Sequence, residues 1–338
     1  MNPSSTARLA PMVQAPSVVA HGDHRGRPSP IRVARAIRSR GMAALGQLSV
    51  RESAAALVLL LPALLVIGMF VLYPIIDVGY LSLTSWDGYS PVMHWVGLSN
   101  YLQLTHDPYF RTSLFVTLIY AGTVSFLGVL SGLGIALLLN APLRGRTFYR
   151  GIYFLPLVSS SIGAAVLWQY VFGLGGPVNK ALGLVHLSAQ NWLGSPHLAL
   201  ACLVLLTVWK SLGLNVVLYL TALQTLPTEL YEAADVDGAT SWQKTHRLTF
   251  PLVSPMTAVV VIQAIITTFQ SFDLIYALTA GGPLNATTTI GYYTYQQAFQ
   301  LGKFGYGSAV AFAGFAMAMG LTLMQWRLGG GRMILGAK

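Results

Sequence analysis

Residues 54–76 run for 23 positions without a charged side chain, and no other feature narrows the choice of fold so far. At about 1.5 Å per helical residue, such a run crosses the roughly 30 Å hydrocarbon core of a bilayer. Comparable apolar runs occupy residues 112–139, 151–172, 198–222, 252–272 and 304–326. Lipid offers backbone amides no water to bond, so a chain crosses as helices or as a closed barrel, and these runs are too long for barrel strands. An all-α integral membrane protein with six transmembrane helices is therefore expected. Prolines 62, 74 and 156 lie inside the runs and are expected to kink helices rather than end them.

Charge gives the direction. Only 9% of the residues are charged, against about 25% in soluble domains, which excludes an ordinary soluble enzyme of this length. The net charge of +10 would suit a nucleic-acid partner, but its distribution follows the loops. With the N-terminus inside, 16 of the 20 Lys and Arg fall in the inner segments 1–53, 140–150, 223–251 and 327–338. Arg111, Lys180 and Lys303 are outside, one per loop, and Lys210 lies within a span. The excess is topogenic, both termini are expected in the cytoplasm, and nucleic acid is not a partner. Residues 1–50, with five prolines and a run of arginines, read as a disordered basic tail ending in an interfacial helix near 31–48. Residues 51–338 form the membrane domain. The first long apolar run begins too late for a cleavable signal peptide.

Catalytic chemistry finds no foothold in the residues. There is no phosphate-cradling GxxxxGK[ST], no HExxH and no paired Cys/His cluster, and the single Cys202 cannot form an intrachain disulfide. The GxSG serine of an intramembrane protease is absent. Asp77 and Asp273 sit at span ends, where water reaches them, rather than deep in the membrane as in ion-coupled carriers. Small residues at helical spacing (Gly128/Gly132, Ala309/Ala313, Gly314/Ala318) allow close packing, within the bundle or against a second membrane subunit.

The inner segment between the fourth and fifth runs, about 226–251, reads as two short helices. Thr228 is expected to cap the first and Gly238 to end it in a left-handed turn. Thr240 and Gln243 form a capping box for the second, which is expected to stop before Pro251. Glu229, Glu232 and Asp235 share one stripe, and with Asp237 they make an acidic knob on a basic face.

Glu232-Ala233-Ala234, then Gly238, then Leu248-Thr-Phe-Pro251 resembles the EAA loop of binding-protein-dependent ABC importer permeases. The usual ending is Ile-x-Leu-Pro, so the departure is mild. Gly97-Leu-Ser-Asn100-Tyr101, Arg150-Gly-Ile-Tyr-Phe-Leu-Pro156 and Thr279-Ala-Gly281-Gly282-Pro283 extend the resemblance toward the carbohydrate, maltose-permease-like branch. The resemblance implies a cell-membrane subunit that provides a translocation pathway for a sugar or oligosaccharide. Implied partners are a second homologous permease, an ATP-binding-cassette ATPase dimer, an extracytoplasmic solute-binding protein and the bilayer. ATP and Mg belong to the ATPase, and this chain is expected to hold no cofactor or metal and to be no enzyme. Contact with the ATPase would fall to Glu232, Ala233, Ala234, Asp237, Gly238 and Pro251.

Two runs carry polar stripes at i, i+4 spacing: Thr207, Ser211 and Asn215 in the fourth, and Gln263, Thr267 and Ser271 in the fifth, with Thr268 and Gln270 beside them. Trp209 and Phe269 interleave with them. The resemblance places the solute path along these stretches, including Leu214; polar contacts between helices are the other reading. Lys210, near mid-span at a cost of roughly 2.5–3.5 kcal/mol on insertion scales, should face a cavity or a partner. A phosphate role for it would point to a glycerol-3-phosphate or glycerophosphodiester importer. A secondary ion-coupled carrier is the alternative of another class.

Overall fold

The computed structural model describes residues 50–140 and 145–327. The basic tail expected over 1–50 lies outside these residues except for Val50, as does the chain beyond Arg327. Two units part at Phe70. In the first, α1 (Val50–Ile67) contains Pro62 and leads into a π turn at Gly68–Leu72. Leu59, Leu60, Leu64 and Leu65 are all exposed, so this stretch is apolar around its surface.

The second unit opens with α2 (Tyr73–Leu81), whose Pro74 sits in the first turn, where a missing N–H costs nothing. A short antiparallel pair, β1 (Thr84–Ser85) and β2 (His94–Trp95), and α3 (Ser99–His106) follow. The Asn100 amide donates to the carbonyls of Ser82 and Thr84, both at 2.8 Å, and pins this loop. The long α4 (Pro108–Asn140) comes next, then α5 (Arg146–Val158), α6 (Ser161–Val171) and α7 (Pro177–Leu184). After α8 (Pro196–Gln224) come α9 (Thr228–Val236), α10 (Ser241–Lys244), α11 (Phe250–Leu252) and α12 (Ser254–Gln270). The last described helices are α13 (Asp273–Leu278), α14 (Ile290–Tyr295) and α15 (Phe304–Gln325).

Among the described residues four helices are individually long and apolar enough to cross a membrane: Val58–Leu81, Pro108–Asn140, Pro196–Gln224 and Phe304–Gln325. The single helix expected over 151–172 is instead two, α5 and α6, bent by 110°. The break falls at Ser159, three residues past Pro156. The Ser159 hydroxyl donates to the Pro156 carbonyl at 2.7 Å, a local bond that competes with helix continuation. The fifth run likewise joins Ser241–Leu252 to α12 through a 64° bend. Counting each bent pair as one crossing gives six.

The core lies where α4, α8 and α12 meet. Tyr120, Leu203, Leu206 and Ile275 are fully buried in one cluster, and Tyr219, Val216 and Ala136 in another. The helices touch because Gly132 has no side chain: a Cβ there would lie 2.8 Å from Asn215 Cβ. The Tyr120 hydroxyl meets Thr207 Oγ1 at 2.6 Å across the same seam. The Gly128/Gly132 pair therefore serves packing within the chain.

Outside the spans, Asp107 ties three elements together. Its Oδ1 accepts from the N–H groups of Tyr109 at 2.8 Å and Phe110 at 3.3 Å, capping α4. Its Oδ2 accepts from the hydroxyls of Tyr293 on α14 and Tyr306 on α15. Burial alone would raise its pKa, but these hydrogen bonds outweigh burial and hold the carboxyl below the ordinary carboxylate value.

Candidate solute cavity and coupling loop

The loop between α8 and α12 is a helical hairpin. Its first helix ends as expected: Gly238 has φ +73°, Ala239 N–H donates to Ala234 O at 2.9 Å and Gly238 N–H to Asp235 O at 3.1 Å. This bond pair is a Schellman motif, which needs a left-handed residue after the cap. The Thr240–Gln243 capping box is formed in both directions. Two expectations fail. Pro227, not Thr228, occupies the N-cap of α9, in extended conformation, and Thr228 is the first helical residue with no side-chain cap bond. Nor does the second helix stop before Pro251. A π turn at Thr245–Thr249 widens the helix just ahead of the proline, which then sits in the first turn of α11, where its missing N–H is tolerated.

Lys244 pairs with Asp235 at 2.6 Å, and the Tyr231 and Thr249 hydroxyls meet at 2.9 Å, so the two helices are cross-tied. Glu229, Glu232 and Asp237 are exposed and make no ion pair among the described residues. Val236 and Trp242 are also exposed, at 89% and 74%. The hairpin thus offers acids and large apolar side chains together, an unusual surface for a solvated loop.

The polar stripes meet at one cavity of about 350 Å³, between α8 and α12 and closed by α4, α5 and α6. Thr207, Lys210, Ser211, Leu214, Asn215, Gln263, Thr267 and Ser271 all line it. Trp209 and Thr268 do not. One helical step rotates a side chain by about 100°, which turns Trp209 onto Trp168 (ring centroids 5.6 Å apart) and Thr268 into the core, its hydroxyl donating to Ala264 O at 2.8 Å. Lys210 lines the cavity but its ammonium donates to Ser159 O at 2.8 Å, meeting the carbonyl freed at the α5–α6 break. A cation there also suits the negative end of α5. Ser271 Oγ is buried on the cavity wall without a hydrogen bond, while the neighbouring Tyr120 hydroxyl is engaged with Thr207.

Gln270, expected beside the stripe, also lines the cavity; sequence reasoning missed Asp273. Periodicity could not find Asp273, because α12 ends at Gln270 and Ser271 is extended (φ −66°, ψ 112°), which breaks the phase of the stripe. An acid two residues past a polar stripe was the available signal.

The family model described as "binding-protein-dependent transport system inner membrane component" matches residues 125–328, a segment that contains both the cavity and the hairpin. The chain belongs to that family. The trehalose/maltose transport system permease protein MalF of Thermococcus litoralis is 34% identical over 284 residues, covering 84% of this chain and 96% of the relative. The sn-glycerol-3-phosphate transport system permease protein UgpA of Yersinia pestis bv. Antiqua is 34% identical over 271 residues, covering 80% and 92%. A bacterial alginate ABC transporter, crystallised in complex with an alginate pentasaccharide-bound periplasmic protein, superposes with a TM-score of 0.71 at 23% identity. That match covers 83% of this chain and 96% of the neighbour and shows a shared fold. Membership of an inner-membrane family accords with the expected all-α membrane protein, and its relatives are transport permeases.

Proposed function

We propose that this chain is one permease subunit of an ATP-driven importer of a sugar or oligosaccharide. In this reading it crosses the membrane six times, with both termini and the 226–251 hairpin in the cytoplasm, which the distribution of Lys and Arg supports. A second permease completes the pathway, a binding protein delivers solute from outside, and an ATPase dimer holding ATP and Mg seats the hairpins. The observation that carries the reading is the convergence of hydroxyl and amide side chains from two helices on a single cavity. Hydroxyl-rich solutes are recognised by such groups.

A cross-tied hairpin transmits displacement rather than absorbing it, so closure of the ATPase dimer would rock α8 and α12, which flank both the loop and the cavity. Glu232, Ala233, Ala234, Asp237 and Gly238 supply the contact surface, with Pro251 at the hinge into α12. The test is co-elution in detergent. Glu232→Lys, an exposed change expected to shift stability by no more than about 0.5 kcal/mol, should insert normally and lose the ATPase. Wild-type association of that variant would contradict the coupling role. The relative that carries glycerol-3-phosphate in its name supports a second reading, import of a phosphorylated polyol, with Lys210 as its anchor.

A further inference from the structure

Resting on the importer reading, we propose that Asp273 sets the charge class of the solute: the cavity admits neutral polyhydroxylated solutes and turns away those bearing phosphate or carboxylate. Among the described residues only two ionisable side chains line it, Lys210 and Asp273. They are not equivalent. The Lys210 ammonium gives one of its three N–H groups to Ser159 O at 2.8 Å, which anchors it at the helix break. Asp273 makes no ion pair and no side-chain hydrogen bond among the described residues.

Asp273 is therefore the charged group whose whole hydrogen-bonding capacity is open to a solute. A carboxylate accepts hydrogen bonds only, with two oxygens that match adjacent hydroxyls of a saccharide. In a cavity walled by Val124, Leu157 and Leu274, its repulsion of an anion is poorly screened. Lys210, fixed on the opposite side of the charge balance, keeps the site from favouring cations.

The test uses the purified assembly of both permeases and the ATPase without its binding protein, so that the cavity alone selects. Equilibrium binding is measured for labelled neutral saccharides of one to three units and for glycerol 3-phosphate. The wild type should bind at least one neutral saccharide and hold glycerol 3-phosphate at least tenfold more weakly. Asp273→Asn, which keeps the shape and loses the charge, should narrow that ratio about tenfold, mainly by strengthening phosphate binding. Asp273→Glu should preserve the discrimination. Binding of glycerol 3-phosphate equal to or tighter than every saccharide, binding of no saccharide, or a ratio unchanged within twofold in Asp273→Asn would each overturn the proposal. Co-elution with the ATPase is scored on the same samples. Failure to assemble removes the importer reading and this proposal with it, whereas an assembled complex with unaltered selectivity removes only the role of Asp273.

Discussion

Gly238 gives the sharpest handle on the hairpin proposed to seat the ATPase, because strain and crowding separate there. Its φ of +73° is a conformation that costs most L-residues roughly 1–2 kcal/mol, yet a Cβ at that position would meet nothing within 4 Å. Substitution therefore strains the backbone without a clash. Gly238→Val carries the full penalty, and relief requires breaking the bonds from Gly238 N–H to Asp235 O and Ala239 N–H to Ala234 O. At about 1.4 kcal/mol per tenfold, the native cap should lose about five- to thirtyfold in population. Gly238→Asn should lose far less, since asparagine tolerates the left-handed region. The hairpin is exposed, so insertion and the melting of the bundle should not change. The assay is titration of the detergent-solubilised permease with its ATPase: affinity should rank wild type, then Asn, then Val, with Val down at least fivefold. Equal losses for Asn and Val would refute backbone strain as the cause, and wild-type affinity in Val would refute the hairpin as the contact.

Thr267→Val should raise the solute concentration for half-maximal uptake several-fold with ATPase co-elution intact, read by uptake in vesicles. Lys210→Met should in addition lower thermal stability by about 1–3 kcal/mol, because Ser159 O is left without its donor; a fluorescence melt in detergent decides this. Gly132→Leu should drive α4 from α8, since even a Cβ would stand 2.8 Å from Asn215, at a cost of about 1–3 kcal/mol or more, measured the same way. Asp107 has a depressed folded-state pKa, so its contribution to stability is complete above the unfolded value near about 3.9 and is lost as pH falls through the lower folded value. Melting scans from pH 6 to 3 should show an acid-limb decline that Asp107→Asn flattens while lowering stability at pH 6.

Much of this arrangement was legible before any coordinates. The i, i+4 spacing of Thr207, Ser211 and Asn215 follows from helical geometry alone, as does that of Gln263, Thr267 and Ser271, and both stripes reach the cavity. Local chemistry was equally readable: a capping box at Thr240–Gln243 and a left-handed Gly238 involve residues a few positions apart. What escaped depends on distant partners. The break at Ser159 is stabilised by an ammonium 51 residues away, which no local pattern encodes. The sequence places Trp209 among polar neighbours, but its ring finds Trp168, a tertiary match. Asp273 enters the cavity only because the chain leaves the helix at Ser271, so continuing the helical phase misplaces it. The proline expectation at 251 failed for a related reason: a π turn changes the register that the rule assumes.

The central claim is that this chain forms a solute path worked by a separate ATPase. It is tested most directly by uptake into proteoliposomes holding this permease with its co-purifying partners, with binding protein outside and ATP inside. The account predicts saccharide accumulation that requires ATP, persists with ion gradients collapsed, and disappears in Gly238→Val. Accumulation by this chain alone, driven by an ion gradient without ATP, would contradict it.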